Sequence, residues 1–105
     1  MEPRPESGDV IARPDVAGMV GELRSAIVRL HSDVRVVDSP LDLSAEFRGV
    51  TFCRITPYRE LMHIQIGQDP MWEARLRTAG ELPEVTARVV RAFLDVFARG
   101  QAGSP

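Results

Sequence analysis

The sequence has 105 residues and a single cysteine, Cys53, so it holds no intramolecular disulfide. No run of apolar residues approaches the roughly 18 that a membrane-spanning helix needs. Neither a Gly-rich phosphate loop nor a nucleophile elbow nor a paired metal-binding motif is visible. Because the polar, Pro-rich start of the chain also lacks the apolar region of a signal peptide, we expect a reducing compartment, the cytoplasm.

The sequence also has little excess of charge of either sign. The formal net charge is −2 at pH 7, with 27% charged and 44% hydrophobic residues. This composition is typical of a folded domain and argues against a disordered chain. Nucleic-acid-binding domains are usually basic overall, so nucleic acid is not the favoured partner.

The length suits one domain and is too short for two. Residues 1–14 contain three prolines and several charges, which predicts a flexible leader. Residues 15–99 form the predicted domain. Residues 100–105 read as a flexible tail.

Two segments have the spacing of amphipathic helices. In the first, which follows Pro14, apolar residues recur every three or four positions: Val16, Val20, Leu23, Ile27 and Leu30. The second follows Pro83, ends at Arg99-Gly100 and has a broad apolar face: Val85, Val89, Val90, Phe93, Leu94, Val96 and Phe97. This second helix is apolar enough to be the main cover of a sheet.

Between the helices, apolar and polar residues alternate, which is typical of half-buried strands. Strands are predicted over 41–47, 50–56 and 61–66, and 34–37 is a candidate short edge strand. A three-residue loop at 48–50 sets Ala45 opposite Cys53, and a two-residue loop at 58–59 sets Ile55 opposite Met62. Apolar and polar residues also alternate over 71–78. Asp69-Pro70 and Gly80 on either side are typical of helix ends, but we favour a strand.

These elements predict an α+β fold. It consists of an N-terminal helix, an antiparallel meander of three to four strands and a C-terminal helix. Both helices pack on one face of the sheet. That face carries the alternating apolar residues, including Leu43, Phe47, Ile55, Ile64 and Ile66.

The run from Phe52 to Ile66 is a strand that ends in Pro57, a turn with a basic residue, and a Leu-containing return strand. It resembles the central hairpin of the YdhG-like superfamily of small, largely uncharacterised bacterial α+β domains. Residues 74–78 and 81–93 are similar to the closing strand and helix of those domains, and the resemblance covers roughly 41–98. It implies the fold and, for part of the superfamily, an iron-chaperone role. The chain lacks the longer insertion usual between the third and fourth strands, and no functional residue carries over.

The polar face of the predicted sheet is the candidate site. Its predicted ligand-binding residues are Arg54, His63, Phe52, Arg75 and Arg77, with Arg54 directly opposite His63. Arginines suit an anionic ligand or a phosphate backbone, and Phe52 would serve as a stacking platform. The simpler interpretation is a solvated face of mixed charge. We predict no catalytic residue, no metal ligand and no cofactor, because His63 has no evident carboxylate to orient it and Cys53 points into the core.

Phe52 and Leu61 are apolar residues on an otherwise polar face, and they provide apolar surface that a partner would cover. The sequence therefore predicts a non-catalytic binding or interaction module that self-associates, as a homodimer, or binds another protein. The alternatives are a binder of small anionic ligands or nucleic acid, and an iron-chaperone-like protein.

Overall fold

A computed structural model describes residues 13–67 and 71–102 of the chain. The predicted leader up to residue 12 and the end of the predicted tail, 103–105, lie outside the described residues. The elements run in the order α1 (Pro14–Val28), β1 (Val34–Asp38), β2 (Leu43–Phe47), β3 (Val50–Pro57), β4 (Met62–Ile66), β5 (Trp72–Leu76), a short 3₁₀ helix (Ala79–Glu81) and α2 (Leu82–Ala102).

The predicted α+β class is confirmed, and both helices pack on one face of a single antiparallel sheet. The strands lie in sequence order, β1-β2-β3-β4-β5. The sheet has five strands where three to four were predicted, because the candidate edge strand pairs fully with β2. Val34 lies opposite Phe47 at one end of this pair and Asp38 opposite Leu43 at the other.

Helix α1 begins with Pro14 at its first position, where the missing N–H of proline costs no hydrogen bond. Its buried residues are Val16, Met19, Leu23 and Ile27. The predicted stripe included Val20 and Leu30, which are only half-buried. Met19 takes the place of Val20 at the centre of the buried face.

Helix α2 buries Leu82, Val85, Val89 and Phe93 against the sheet. The predicted apolar face also contained Leu94, but this side chain is 54% exposed. Each residue turns the helix by about 100°, so the neighbour of a central core residue points away from the sheet. The helix continues past the predicted end at Arg99 to Ala102.

The β2–β3 hairpin differs from the prediction at its turn. Phe47 lies opposite Val50, so the loop has two residues, Arg48 and Gly49, instead of three. Both have positive φ, 52° and 88°, as the type I′ hairpin turn requires. The extra residue sits inside β3: Ala45 lies opposite Cys53, as predicted, while the next pair joins Glu46 to Thr51. This β-bulge leaves Phe52 without an opposite residue on β2.

The β3–β4 register is shifted by two residues from the prediction. Ile55 lies opposite Ile64, and Pro57 lies opposite Met62. The connection is longer than predicted, and the Tyr58 N–H donates to the Leu61 carbonyl at 2.8 Å. A shift of two leaves every side chain on its predicted face, because the side-chain period of a strand is two residues.

The predicted strand over 71–78 is confirmed as β5. Trp72 lies opposite Ile66 at one end and Leu76 opposite Met62 at the other. Leu76 is fully buried, whereas Trp72 is half-buried at the rim of the core with the Arg88 guanidinium 4.2 Å above its ring. Trp72 therefore completes the core at the edge of the sheet.

Candidate functional site

The face of the sheet that points away from α1 and α2 is called the open face. Alternation along the strands assigns it the polar positions, and no described element packs over it. Its side chains are Arg35, Val37, Ser44, Glu46, Thr51, Arg54, Thr56, His63, Gln65, Glu73 and Arg75.

Two rows of this face contain the predicted site residues. In one row Ser44, Arg54, Gln65 and Glu73 lie side by side on β2 to β5. In the next, Thr56, His63 and Arg75 are neighbours.

The predicted pairing of Arg54 with His63 is therefore wrong, since Arg54 lies opposite Gln65. His63 instead lies between Thr56 and Arg75. The error has one source, the two-residue loop predicted for 58–59.

Phe52 does not belong to the open face. Its side chain is only 1% exposed, and its ring centroid lies 5.7 Å from that of Phe93 on α2. The bulge at this position breaks the alternation of β3, so that both Phe52 and Cys53 are buried. The predicted stacking platform is a core residue, and it offers no surface to a base or a ligand.

His63 has an acidic partner that the sequence prediction missed. Its Nε2 lies 2.9 Å from Oε1 of Glu73 on the neighbouring strand. The imidazole is mostly shielded, with 18% of its side chain exposed, while 53% of Glu73 remains exposed. The carboxylate orients the ring. The contact follows from the β4–β5 register, which places Glu73 diagonally from His63 and would have been needed to predict it.

Geometry alone does not make this pair a catalytic site. The depression beside it measures about 280 Å³ and is lined by His63, Glu73, Ala74 and Arg75. A general base also needs a reacting group within hydrogen-bond reach and a site that shields the reaction from water. The depression lies on an open surface, and its other described lining residues are Ala74 and Arg75.

The arginines of the open face differ in their partners. Nε of Arg54 lies 4.0 Å from Oδ2 of Asp42, and the Arg54 side chain is half-exposed. Arg75 forms no ion pair with any other residue in the described ranges. Arg77 is exposed just beyond the end of β5. Arg54 and Arg75 thus lie on one surface, two strands apart, with Arg77 at its rim.

Apolar side chains at the margins of the open face were not predicted there. Val37 on β1 is about half-exposed. Met71 is also about half-exposed and lines a depression of about 350 Å³ with Thr51, Arg54 and Gln65. Val37 follows another valine, so the alternation that would have assigned it to this face is broken in the sequence.

The thiol of Cys53 faces the core, as predicted. Burial disfavours the thiolate and raises the pKa of Cys53 to about 12. A thiol in this state is a weak nucleophile at neutral pH.

Among residues 13–67 and 71–102, no group of three or more His, Cys, Asp or Glu side chains is arranged to hold a metal ion. The iron-chaperone role implied by the resemblance stays a prediction. None of the described helices is long and apolar enough to cross a membrane.

Comparison with protein-family models finds no matching family. Comparisons with curated proteins and with solved structures also find no match. The YdhG-like resemblance therefore stays a prediction.

Proposed function

We propose that this protein is a non-catalytic interaction module that self-associates through its sheet. The observation that carries this proposal is the one-sided cover of the sheet, in which both helices pack on the same face. Within the described part of the chain, no element packs over the opposite face, and no further strand pairs with the outer edges of β1 and β5. Such surfaces are available for association with another chain.

The shape of the open face favours a macromolecular partner over a small molecule. Small-molecule sites are concave and bury most of their ligand, whereas the depressions here are open and shallow. Apolar Val37 and Met71 lie among polar groups at the margins of this face, a mixture found in non-obligate protein interfaces. Phe52 is in the core and Leu61 lies in the β3–β4 connection, so Val37 and Met71 supply the apolar area of this face instead.

Charge of both signs favours a protein partner over a polyanion. Arg54 and Arg75 share the open face with Glu46 and Glu73. A phosphate backbone would meet the carboxylates as well as the guanidinium groups. A protein surface, and above all a second copy of the same surface, offers both signs in return.

Self-association is tested by light scattering over a concentration series of the full chain, up to high micromolar. We expect the mass to rise from that of a monomer to that of a dimer. The variant Leu94→Asp removes an exposed apolar residue from α2, far from the sheet face, and is expected to leave the transition unchanged. A strict monomer throughout the series would contradict the proposal, and loss of the dimer in Leu94→Asp would move the contact to the helices.

A second candidate function is the binding of small anions or nucleic acid. The observation that favours it is Arg75, which lies beside His63 without an ion pair to another described residue. Binding of a labelled oligonucleotide would then weaken steeply with added salt. The variants Arg54→Ala and Arg75→Ala should reduce the affinity, and unchanged affinity in both would contradict this function.

The compartment is part of the proposal as well. A chain with one cysteine gains no disulfide from an oxidising environment, which supports the cytoplasm.

A further inference from the structure

Strand β5 forms one outer edge of the sheet, with β4 on one side and no described strand on the other. Its sequence is Trp72-Glu-Ala-Arg-Leu76. Glu73 and Arg75 point to the open face, whereas Trp72 and Leu76 point to the helices. An unpaired strand edge is a template for pairing with another chain unless the protein blocks it.

The order of these residues is self-complementary. When two copies of β5 pair antiparallel about a two-fold axis at Ala74, Glu73 of each copy lies opposite Arg75 of the other. Trp72 lies opposite Leu76, and Ala74 lies opposite itself. Opposite residues of an antiparallel pair share a face and interact directly. The pairing thus forms two ion pairs on the open face and places apolar residues together on the helix face.

Other arrangements lose this match. An axis at Glu73 or at Arg75 sets two like charges directly opposite each other, which is destabilising. The other outer strand, β1, paired about Val36 would set Val34 opposite Asp38. Asp38 is moreover held by the guanidinium of Arg24 at 2.7 Å. The complementary edge is therefore β5.

The two charged groups of β5 are free to make the new contacts. Arg75 forms no ion pair with a described residue. Glu73 contacts His63 through Oε1, but its side chain remains about half-exposed. Glu73 would then lie between His63 of its own chain and Arg75 of the second copy. A carboxylate has acceptor sites for both.

We propose that two copies of this chain join by antiparallel pairing of their β5 strands about Ala74. The product is one continuous sheet of twice five strands with all four helices on the same side. Its open face doubles in area and stays accessible. This inference rests on the self-association proposed above, and it assigns the contact between the two copies to the β5 edge of the sheet and not to the open face.

Two charge reversals test the pairing. Glu73→Arg and Arg75→Glu each set like charges opposite each other at both ion pairs, so each variant alone should be monomeric by light scattering. An equimolar mixture restores both Glu–Arg pairs and should form a dimer containing one copy of each. Arg77→Glu, two residues further along the chain and outside the two ion pairs, is the matched control and should dimerise as the wild type does.

The outcomes separate this inference from the proposed function. A wild type that stays monomeric overturns both. A wild-type dimer with dimeric single variants overturns the β5 pairing and leaves self-association standing. Folded single variants that stay monomeric when mixed also overturn the pairing. If circular dichroism shows that a variant does not fold, hydrogen exchange of the backbone amides of 72–76 in the wild type tests the pairing instead. Exchange should slow as the dimer forms, and an unchanged exchange rate refutes the pairing.

Discussion

The ring of Phe52 packs against the ring of Phe93, with centroids 5.7 Å apart and planes inclined by 62°. This contact joins the bulge in β3 to the middle of α2. Phe93 also contacts Phe47 and Phe97, so the four phenylalanines form one cluster between α2 and the sheet. Edge-to-face pairs of this kind add to the stability that burial itself provides.

Replacing Phe52 with alanine should therefore lower the free energy of unfolding by about 3–5 kcal/mol. Tyr58→Ala is the matched aromatic control, because Tyr58 is about half-exposed at the β3–β4 connection. Denaturant titration of both variants measures the difference. A Phe52 variant as stable as the control would show that the side chain faces solvent and that the bulge is misplaced.

Two glycines should respond to alanine with opposite signs. Gly49 has a φ of +88°, which costs an L-residue roughly 1–2 kcal/mol, so Gly49→Ala should destabilise the protein. Gly21 lies inside α1 with nothing within 4 Å of an added Cβ, so Gly21→Ala should stabilise by roughly 0.5–1 kcal/mol. Thermal unfolding compares the two, and equal signs would refute the positive-φ turn or the helix assignment.

Helix α1 is tied to the outer strand β1 by Arg24, which donates two parallel hydrogen bonds of 2.7 Å to Asp38. The hydrogen bonds from Arg24 lower the pKa of Asp38 below its usual value; desolvation opposes this shift, and the charge of Arg24 adds a smaller contribution in the same direction as the hydrogen bonds. A carboxylate whose pKa falls on folding stabilises the protein above its unfolded pKa, and this contribution disappears as the pH falls.

Asp38→Asn should therefore lower the thermal midpoint slightly at neutral pH. The decrease is small because both side chains are about half-exposed and screened by water. The difference from the wild type should vanish in acid, where Asp38 of the wild type is protonated. Asp95→Asn on α2 serves as the control, and an Asp38 difference that persists in acid would contradict the assignment of the effect to the ion pair.

The fold was predictable because its signals are periodic. The alternation in β2 and β4 and the three-to-four spacing in α2 each assign a face without knowledge of the partner strand. A register error of two residues, as between Ile55 and Ile64, does not move a side chain to the other face. Residues 71–78 were also predicted as a strand from their alternation, although the residues on either side are typical of helix ends, and β5 lies within this segment.

The site was less predictable because it depends on register and on local irregularity. The bulge turns Phe52 inward, and no residue of β3 indicates that a bulge is present. A two-residue turn followed by a bulge gives the same Ala45–Cys53 pair as a three-residue loop, so this pair does not distinguish the two. The contact between His63 and Glu73 joins two strands, so it is visible only after both loops are placed. Periodicity within one strand carries no information on either.

The buried thiol of Cys53 gives a prediction for alkaline pH. Burial raises its pKa from 9.0 to about 12 in the folded protein, so above pH 9 the unfolded chain loses this proton while the folded protein keeps it. The unfolded state then binds fewer protons, and stability falls with rising pH, by up to about 1.4 kcal/mol per pH unit. Below pH 9 the thiol contributes no pH dependence.

Cys53→Ala removes this titration and should show a flatter stability curve between pH 9 and pH 11, whatever its stability at neutral pH. All other ionisable groups are common to both proteins, so their effects on stability cancel in the difference. Denaturant titrations at several pH values measure that difference. Parallel curves would mean that the Cys53 thiol ionises as readily in the folded protein as in the unfolded chain. The thiol would then lie at the surface. The position of the bulge in β3, and with it the burial of Phe52, would be wrong.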